Sequence, residues 1–151
     1  MSEKTAIIFI GIQASGKSTF YHEQFAGYVH INLDTLHTRN KEKLLLQECV
    51  ESGYSFVVDN TNPTKADREK YIRAAKDYGY RIHGYYFQSS VSECIERNRK
   101  REGKARIPDR AVAGTHRKLE LPEYGEGFDK LFYVCLKDGH FQTQEWIERE
   151  A

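Results

Sequence analysis

The chain has 151 residues, a length that suits one domain with a core of ordinary size. Its net charge is +1, which argues against a molecule that is basic over its whole surface and wraps nucleic acid. The N-terminal apolar run is too short for a signal peptide, and no apolar segment approaches membrane-spanning length. We therefore expect one soluble, cytoplasmic domain over residues 1–151, with no membrane contact.

The first predicted strand and helix are joined by a glycine-containing loop. Residues 5–10 are apolar and predict a buried strand, and residues 18–25 can open a helix. Between them, residues 11–18 read Gly-Ile-Gln-Ala-Ser-Gly-Lys-Ser, which fits the phosphate-binding loop pattern. Its glycines let backbone N–H groups turn toward a phosphate, and the helix N-terminus adds a positive dipole end. The nucleotide-binding residues predicted from this loop are Gly11, Ala14, Ser15, Gly16, Lys17, Ser18 and Thr19.

Two further strand–helix units follow the loop. A second strand at 28–32 ends at Asp34, and a helix at 43–52 is closed by Gly53. A third strand at 56–59 ends at Asp59, and a helix then runs to about residue 78. For that helix we predict Asn62 as N-cap and Pro63 at the first helical position.

The C-terminal third continues the alternation of strands and helices. A fourth strand is predicted at 81–87, and the capping box at 90–93 opens a helix. Residues 96–106 include six Lys or Arg and two Glu. The predicted helix is followed by a polar loop at 102–108. A helix at 109–119 and a fifth strand at 132–136 follow. Asp138-Gly139 then predicts a hairpin turn into residues 140–144.

The cysteines give no sign of a disulfide or a metal site. Cys49, Cys94 and Cys135 are far apart and form neither a C-x-x-C pair nor a zinc-like spacing. The six histidines add no metal-ligand spacing to them. We expect reduced, partly buried thiols that act as small apolar side chains, and no structural metal.

This order of elements predicts an α/β protein with a central, mostly parallel sheet of about five strands flanked by helices. Ligands of such sheets lie beyond the carboxyl ends of the strands. That rule places the loop, Asp34 and Asp59 at one edge. Lys17 is then expected to reach the β- and γ-phosphates, Ser18 and Asp59 to hold Mg²⁺, and Asp34 to act as a general base. The simpler alternatives are an N-cap for Asp34 and a turn residue for Asp59.

The basic helix end predicts a lid. Arg97 and Arg101 are spaced i, i+4 and share a helix face just before the polar loop. An arginine delivered to a transferring phosphoryl group is worth about 10³–10⁵ in rate. Arg106 is a further candidate, and the sequence does not decide among the three.

Four segments together resemble the kinase domain of the polynucleotide 5′-hydroxyl kinases, the end-healing enzymes of nucleic-acid repair. They are Gly-Ile-Gln-Ala-Ser-Gly-Lys-Ser-Thr-Phe at 11–20, Val-His-Ile-Asn-Leu-Asp-Thr-Leu at 29–36, Asp-Asn-Thr-Asn-Pro at 59–63 and Arg-Asn-Arg-Lys-Arg at 97–101. The similarity extends from about residue 5 to residue 122 and implies a P-loop kinase fold with an Arg-bearing lid. We expect no phosphatase partner domain, because 151 residues leave no room for one beside the kinase domain.

The resemblance implies ATP or another NTP as donor, Mg²⁺ as cofactor, and a 5′-hydroxyl end of DNA or RNA as acceptor. By position, Lys17 and Ser18 would hold phosphate and metal, Asp34 would be the base, and Arg101 would be the lid arginine. The acceptor-side residues would be Asp34, Arg39, Asp59, Thr61 and Asn62. Leu33 stands where family members commonly carry Arg, and His37 stands where some of them do.

Two other functions remain open at this point. A small-molecule kinase acting on a nucleoside, sugar or other metabolite would use the same loop, base and lid, and the near-neutral charge and Leu33 favour it slightly. A nucleotide-binding regulator of the GTPase type would need the guanine-specific Asn-Lys-x-Asp pattern. At 40–43 the chain has Asn-Lys-Glu-Lys instead.

Overall fold

The computed structural model is an α/β protein built on one six-stranded sheet. It describes residues 4–88, 90–103 and 106–146. The strands are β1 (Thr5–Ile10), β2 (Val29–Ile31), β3 (Phe56–Val58), β4 (Arg81–Gln88), β5 (Lys130–Lys137) and β6 (His140–Glu145). The helices are α1 (Lys17–Gln24), α2 (Leu33–Leu36), α3 (Arg39–Ser52), α4 (Lys65–Asp77), α5 (Val91–Arg99) and α6 (Asp109–Lys118), with a short 3-10 turn at Tyr124–Glu126.

The strand order is β2-β3-β1-β4-β5-β6, and every neighbouring pair is parallel except β5 with β6. The predicted fold class is therefore confirmed. The hairpin from β5 into β6 turns at Asp138 and Gly139, whose φ angles of 52° and 76° are the positive values that a tight two-residue turn requires. The carboxyl ends of β1, β2 and β3 meet at one edge of the sheet, because these three strands are parallel neighbours.

The core lies on both faces of the central strand. All six residues of β1 are buried, as expected for a parallel strand covered on each side. Alternate side chains point to opposite faces, so Ala6 and Ile8 join the cluster under α3 and α4, while Ile7 and Phe9 join the cluster under α1. The loop after β1 thus starts from a strand that is buried along its whole length.

The prediction of Asn62 as the N-cap of the fourth helix is wrong. Thr64 caps this helix, and its hydroxyl and the Asp67 carboxylate form a reciprocal capping box. Asn62 instead adopts a left-handed φ of 44°, and its amide donates to the Phe9 carbonyl oxygen at 2.7 Å. Because the Asn62 side chain forms this hydrogen bond to β1, it does not cap the helix.

The chain between β2 and α3 also differs from the prediction. The third helix begins at Arg39 rather than residue 43, because the Thr38 hydroxyl accepts a hydrogen bond from the Lys41 N–H and caps it. A short helix, α2, precedes it and was not predicted. Asn32 is its N-cap and accepts from the Thr35 N–H, so Asp34 is not a cap.

The lid region has a buried support. Ser90 caps α5 as expected, accepting from the Glu93 N–H. Asn98 is fully buried, donates to the Ile107 carbonyl and accepts from the Ile107 N–H at 3.0 Å, which fastens the end of the predicted lid loop to α5. Of that loop, residues 104 and 105 lie outside the described residues.

The cysteine side chains are wholly or partly buried, as the sequence predicts. All three cysteines are free, with Cys49 and Cys94 buried and Cys135 partly buried, and burial raises the pKa of the Cys49 thiol to about 11. None of the helices among the described residues has the length and apolar character needed to span a bilayer.

Candidate active site

The loop between β1 and α1 has the geometry of a phosphate cradle. Gly16 has a φ of 98° and forms the N-cap of α1. A Cβ on Gly11 would lie 2.9 Å from the Phe87 Cβ, and one on Gly16 would lie 3.0 Å from the Phe141 ring. Real Cβ atoms essentially never approach as closely as 2.9 Å, so the contact requires glycine at position 11, and the positive φ of Gly16 favours glycine there. Ala14 also has a positive φ, 62°, so the loop turns sharply before it enters the helix.

Lys17 is the first residue of α1, and its side chain turns back into this loop. Its Nζ donates to the carbonyl oxygens of Gly11 and Ile12 at 3.0 and 2.7 Å. Burial lowers the pKa of Lys17 to about 8, although the nearby carboxylate of Asp59 acts in the opposite direction. The ammonium group is therefore a desolvated cation, and an anion in the loop would stabilise its charged form.

A hydroxyl and a carboxylate meet at the start of α1. The Ser18 hydroxyl donates to Asp59 Oδ2 at 2.7 Å, and the same oxygen is 2.8 Å from His30 Nε2. The His30 ring stacks on Tyr21 at 3.9 Å between centroids, and the Asn32 amide donates to the Asp59 carbonyl at 2.7 Å. Asp59, 2% exposed, is thus held rigidly beside Ser18.

A cavity of about 430 Å³ joins most of the residues that the sequence singled out. From the loop and α1 it is lined by Ala14, Gly16, Lys17, Ser18 and Thr19, and from elsewhere by Asp34, Arg39, Asp59, Thr61, Asn62 and Arg101. Gly11, Ser15 and Arg97 do not line it. Gly11 and Ser15 supply acceptors to Lys17 from behind.

Asp34 reaches the cavity from the first turn of α2. The Asp34 side chain is exposed. Two backbone N–H groups of α2, on either side of Asp34, donate to asparagine side chains. The Leu33 N–H donates to Asn60 Oδ1 at 3.0 Å, and the Thr35 N–H donates to Asn32 Oδ1 at 3.1 Å. The general-base candidate is therefore a solvent-facing carboxylate on a fixed turn.

The two positions where arginine is common in the resembling family lie around the same turn. Leu33 lines the cavity, and His37 is the exposed C-cap of α2 with a φ of 71°. Arg39, which opens α3, also lines the cavity, with 65% of its side chain exposed. The cation nearest to the base in sequence is thus Arg39.

The three lid arginines occupy different places. Arg101 lines the cavity, and its charge acts on the Lys17 ammonium. Arg97 Nε donates to the Ala14 carbonyl at 2.7 Å and so braces the phosphate loop from outside. Arg106 borders a separate surface depression together with Gly103. The geometry distinguishes three side chains that the sequence could not.

The Asp-Asn-Thr-Asn-Pro segment is bound to the phosphate loop. The Gly11 N–H donates to the Thr61 carbonyl at 3.0 Å, and the Asn62 amide reaches Phe9 as described above. Behind the segment, Arg68 is fully buried, donates to the Asn62 carbonyl at 2.9 Å and pairs with Glu126 through both oxygens. Asn62 therefore supports the site as well as lining it.

Sequence reasoning missed several residues of this site. His30 and Asn60 lie inside the quoted segments, yet nothing local marks their contacts. Glu42 is buried although it lies in a stretch of polar residues that was left outside the predicted helix. Gln13 donates to the Thr115 hydroxyl at 2.9 Å, and its Oε1 is buried without a partner among the described residues. Glu42 would have been noticed only if the predicted third helix had begun before residue 42.

The fold and this site define a P-loop nucleotide-binding protein of the α/β class. A model of the AAA domain family matches residues 40–122, more than half of the chain. The chain therefore belongs to the AAA domain family.

One curated relative and two solved structures resemble the chain over most of its length. It is 30% identical to the bifunctional polynucleotide phosphatase/kinase of Schizosaccharomyces pombe, covering 94% of this chain and 37% of that protein. The chain thus spans about a third of the relative's length, and the resemblance predicted from the sequence is confirmed.

The two structures share the fold. Kti12 of Chaetomium thermophilum, in complex with ADP-AlF3, is 17% identical with a TM-score of 0.71, covering 88% of this chain and 90% of that one. A gluconokinase from Sinorhizobium meliloti is 21% identical with a TM-score of 0.60, covering 89% of this chain and 84% of that one.

Proposed function

We propose that this chain is a kinase that transfers the γ-phosphate of ATP to a 5′-hydroxyl end of a polynucleotide. The observation that carries the proposal is the cavity, where Asp34 from α2 opens onto the same space as Lys17, Ser18 and Arg101. A donor cradle and a free carboxylate on one cavity are what phosphoryl transfer to a hydroxyl requires. The similarity to a phosphatase/kinase supports a polynucleotide end as the acceptor.

The phosphate loop, Lys17, Arg101 and Arg97 have distinct roles in binding or positioning the phosphates of ATP. The loop N–H groups and Lys17 bind the β- and γ-phosphates, and the loop's turn at Gly16 lets the backbone approach them. Arg101 contacts the transferring phosphoryl group from the lid side of the cavity. Arg97 holds the loop in shape through the Ala14 carbonyl.

The reaction itself moves one proton and exchanges one P–O bond. The acceptor hydroxyl donates its proton to the Asp34 carboxylate as its oxygen forms a bond to the γ-phosphorus. The bond from that phosphorus to the β–γ bridging oxygen breaks, and ADP leaves with the electron pair. A positioned base of this kind contributes about 10²–10⁴-fold in rate.

The donor set at the start of α1 fits Mg²⁺. The Ser18 hydroxyl and Asp59 Oδ2, 2.7 Å apart, are hard oxygen ligands that can share one ion or orient its waters. No cluster of three acidic, histidine or cysteine ligands occurs among the described residues, and Mg²⁺ in kinases needs only one or two protein oxygens. When bound, the ion neutralises charge that develops on the β- and γ-phosphate oxygens.

The test is the Asp34→Asn variant with Asp77→Asn as a matched control, since Asp77 is an exposed carboxylate at the end of α4. We expect Asp34→Asn to bind ATP like the wild type but to lose at least 10²-fold in transfer of labelled phosphate to a 5′-hydroxyl oligonucleotide. The control should keep full activity. A fully active Asp34→Asn variant would refute Asp34 as the base.

A small-molecule kinase is the second candidate, favoured by Leu33 on the cavity wall in place of a cation. A cavity of about 430 Å³ is within the range that takes a nucleoside or sugar. An acceptor panel of 5′-hydroxyl DNA, 5′-hydroxyl RNA, nucleoside 3′-monophosphates and free nucleosides separates the two. Equal kcat/KM for a free nucleoside and an oligonucleotide would favour this second function.

A further inference from the structure

A buried carboxylate lies behind the acceptor side of the cavity. Glu42, on the first turn of α3, is 2% exposed. Its Oε1 accepts from the Tyr71 hydroxyl at 2.9 Å, from Arg39 Nη1 at 3.1 Å and from Lys70 Nζ at 3.2 Å. Its Oε2 accepts from the Asn60 amide at 2.8 Å. Four groups from three different segments therefore converge on one side chain.

Stability alone does not account for a charge in this place. A buried ion pair is often no more stabilising than well-packed apolar residues of similar volume. Burial disfavours the ionised form of Glu42, but hydrogen bonds from Tyr71 and Asn60 and the charge of Lys70 outweigh it and lower the pKa of the carboxyl. The group is thus kept as an anion at neutral pH, at the back of a cavity.

Glu42 determines which way the Asn60 amide points. A carboxylate only accepts hydrogen bonds, so the NH₂ of Asn60 must face it. The amide oxygen is then left to accept from the Leu33 N–H at 3.0 Å, at the first residue of α2. Asp34 is the next residue. A chain of two hydrogen bonds therefore runs from Glu42 to the turn that carries the proposed base.

The same carboxylate holds two cations at the cavity wall. Arg39 and Lys70 both line the cavity together with Asp34, and their side chains are 65% and 49% exposed. Both donate to a single anionic oxygen, so the three-residue cluster of Glu42, Arg39 and Lys70 carries a net charge of +1. Asp67 also lines this wall, but its carboxylate is engaged with Thr64 in the cap of α4.

We propose that Glu42 is a positioning residue of the acceptor half of the site: through Asn60 it fixes the turn bearing Asp34, and directly it holds Arg39 and Lys70 toward the acceptor. This inference rests on the proposed kinase function. Glu42 itself lies behind these groups and does not line the cavity. A displacement of the base by about 1 Å can cost roughly 10²-fold in rate.

The experiment compares Glu42→Gln with Asp129→Asn in the full chain. Asp129 precedes β5, its Oδ2 accepts from the Ile82 N–H at 2.8 Å at the start of β4, and it does not line the cavity, so it matches the loss of a hydrogen-bonded carboxylate away from the acceptor wall. For Glu42→Gln we expect kcat to fall at least tenfold and the acceptor KM to rise, with the Kd for ATP unchanged. Asp129→Asn should leave all three constants unchanged, whatever its Tm.

Two further measurements test the route of the effect. Asn60→Ala removes the connector, so its kcat loss should not add to that of Glu42→Gln in a double-mutant cycle. Hydrogen exchange reports on the same link without any turnover. We expect the Leu33 amide to exchange at least tenfold faster in Glu42→Gln, while the Gly11 amide, which is bound to Thr61, stays protected.

The outcomes separate the two claims. If the wild type phosphorylates no acceptor but Leu33 exchange responds to Glu42→Gln, the proposed function fails and the structural link stands. If the wild type is active and Glu42→Gln keeps its kcat, the positioning role is overturned, whatever its Tm. If Glu42→Gln does not fold, Asn60→Ala decides, and unchanged kcat with unchanged Leu33 exchange in that variant overturns the role.

Discussion

At the scale of single residues, the site combines charged side chains that differ in burial. Lys17 is a desolvated ammonium with a pKa of about 8, close to neutral pH. Asp59 is almost fully buried between Ser18 and His30, whereas Asp34 faces solvent. Two carboxylates in such different surroundings suit the different tasks proposed for them above, metal binding for Asp59 and proton acceptance for Asp34.

Nucleotide affinity should depend on the charge of Lys17. A bound triphosphate raises the pKa of the ammonium above the value of about 8 in the free protein. The affinity for ATP then has its full value below pH 8. It falls as the pH rises toward the pKa of Lys17 in the ATP complex, by up to about tenfold per pH unit.

Calorimetric titration with ATP between pH 7 and pH 10 measures this effect. Lys17→Arg keeps its charge throughout this range and should give a flat profile, at whatever affinity it retains. A flat profile for the wild type would contradict the prediction.

Substitutions of the two lid arginines Arg97 and Arg101 should affect different kinetic constants. Arg101→Ala removes a group that lines the cavity, so we expect kcat to fall about 10³-fold with little change in ATP affinity. Arg97→Ala removes a brace on the Ala14 carbonyl, so we expect weaker ATP binding as the main defect. Steady-state kinetics and equilibrium binding on both variants, with exposed Arg73→Ala as the control, measure the difference. Identical defects in Arg97→Ala and Arg101→Ala would contradict the assignment.

At the scale of elements, short segments are held by side chains from other elements. The turn α2 has only four residues and depends on Asn32 and Asn60 for its placement. The end of the lid loop depends on Asn98 in the same way. Short helices are marginal by themselves, so these amide bonds substitute for the stability that length would supply.

Loss of Asn98 should loosen the lid. Asn98→Ala leaves the N–H and carbonyl of Ile107 without their partner, and we expect about 1–3 kcal/mol of lost stability together with a higher KM for ATP. Urea denaturation and initial rates measure both quantities. Thr64→Ala is the comparison, because it removes the α4 cap at a cost of about 1 kcal/mol and should leave KM unchanged. Equal KM values in the two variants would argue against a lid role for Asn98.

At the scale of the whole molecule, one buried ion pair joins three segments. Arg68 on α4 binds Glu126 through two nitrogens and also donates to the carbonyls of Asn62 and Glu120. These bonds connect α4, the loop after β3 and the 3-10 turn before β5. The loop that supports the cavity is thereby tied to the segment between α6 and β5.

Breaking this pair should strongly destabilise the chain. Arg68→Met leaves the Glu126 carboxylate buried and unpaired, and we expect a loss of about 3–5 kcal/mol in the free energy of unfolding. The double variant with Glu126→Leu should recover part of it, since no unpaired charge remains. Chemical denaturation of both proteins measures the two values. A double variant less stable than Arg68→Met would contradict this account of the pair.

The sequence by itself determined the parts whose signals are local. The order of the strands and longer helices, the phosphate loop with its glycines and the hairpin at Asp138-Gly139 follow from patterns a few residues long, and the placement of Asp34 and Asp59 at one edge follows from that order. Such patterns suffice because periodicity, capping and turn preferences involve neighbours in the chain.

Only the tertiary structure decided the rest. Asn62 bonds across 53 positions to Phe9 rather than capping its own helix, Glu42 gathers partners as far away as Tyr71, and Arg97 and Arg101 divide between the loop and the cavity. These contacts join residues that are far apart in sequence. Their partners become neighbours only when the sheet assembles, and burial then makes each hydrogen bond obligatory.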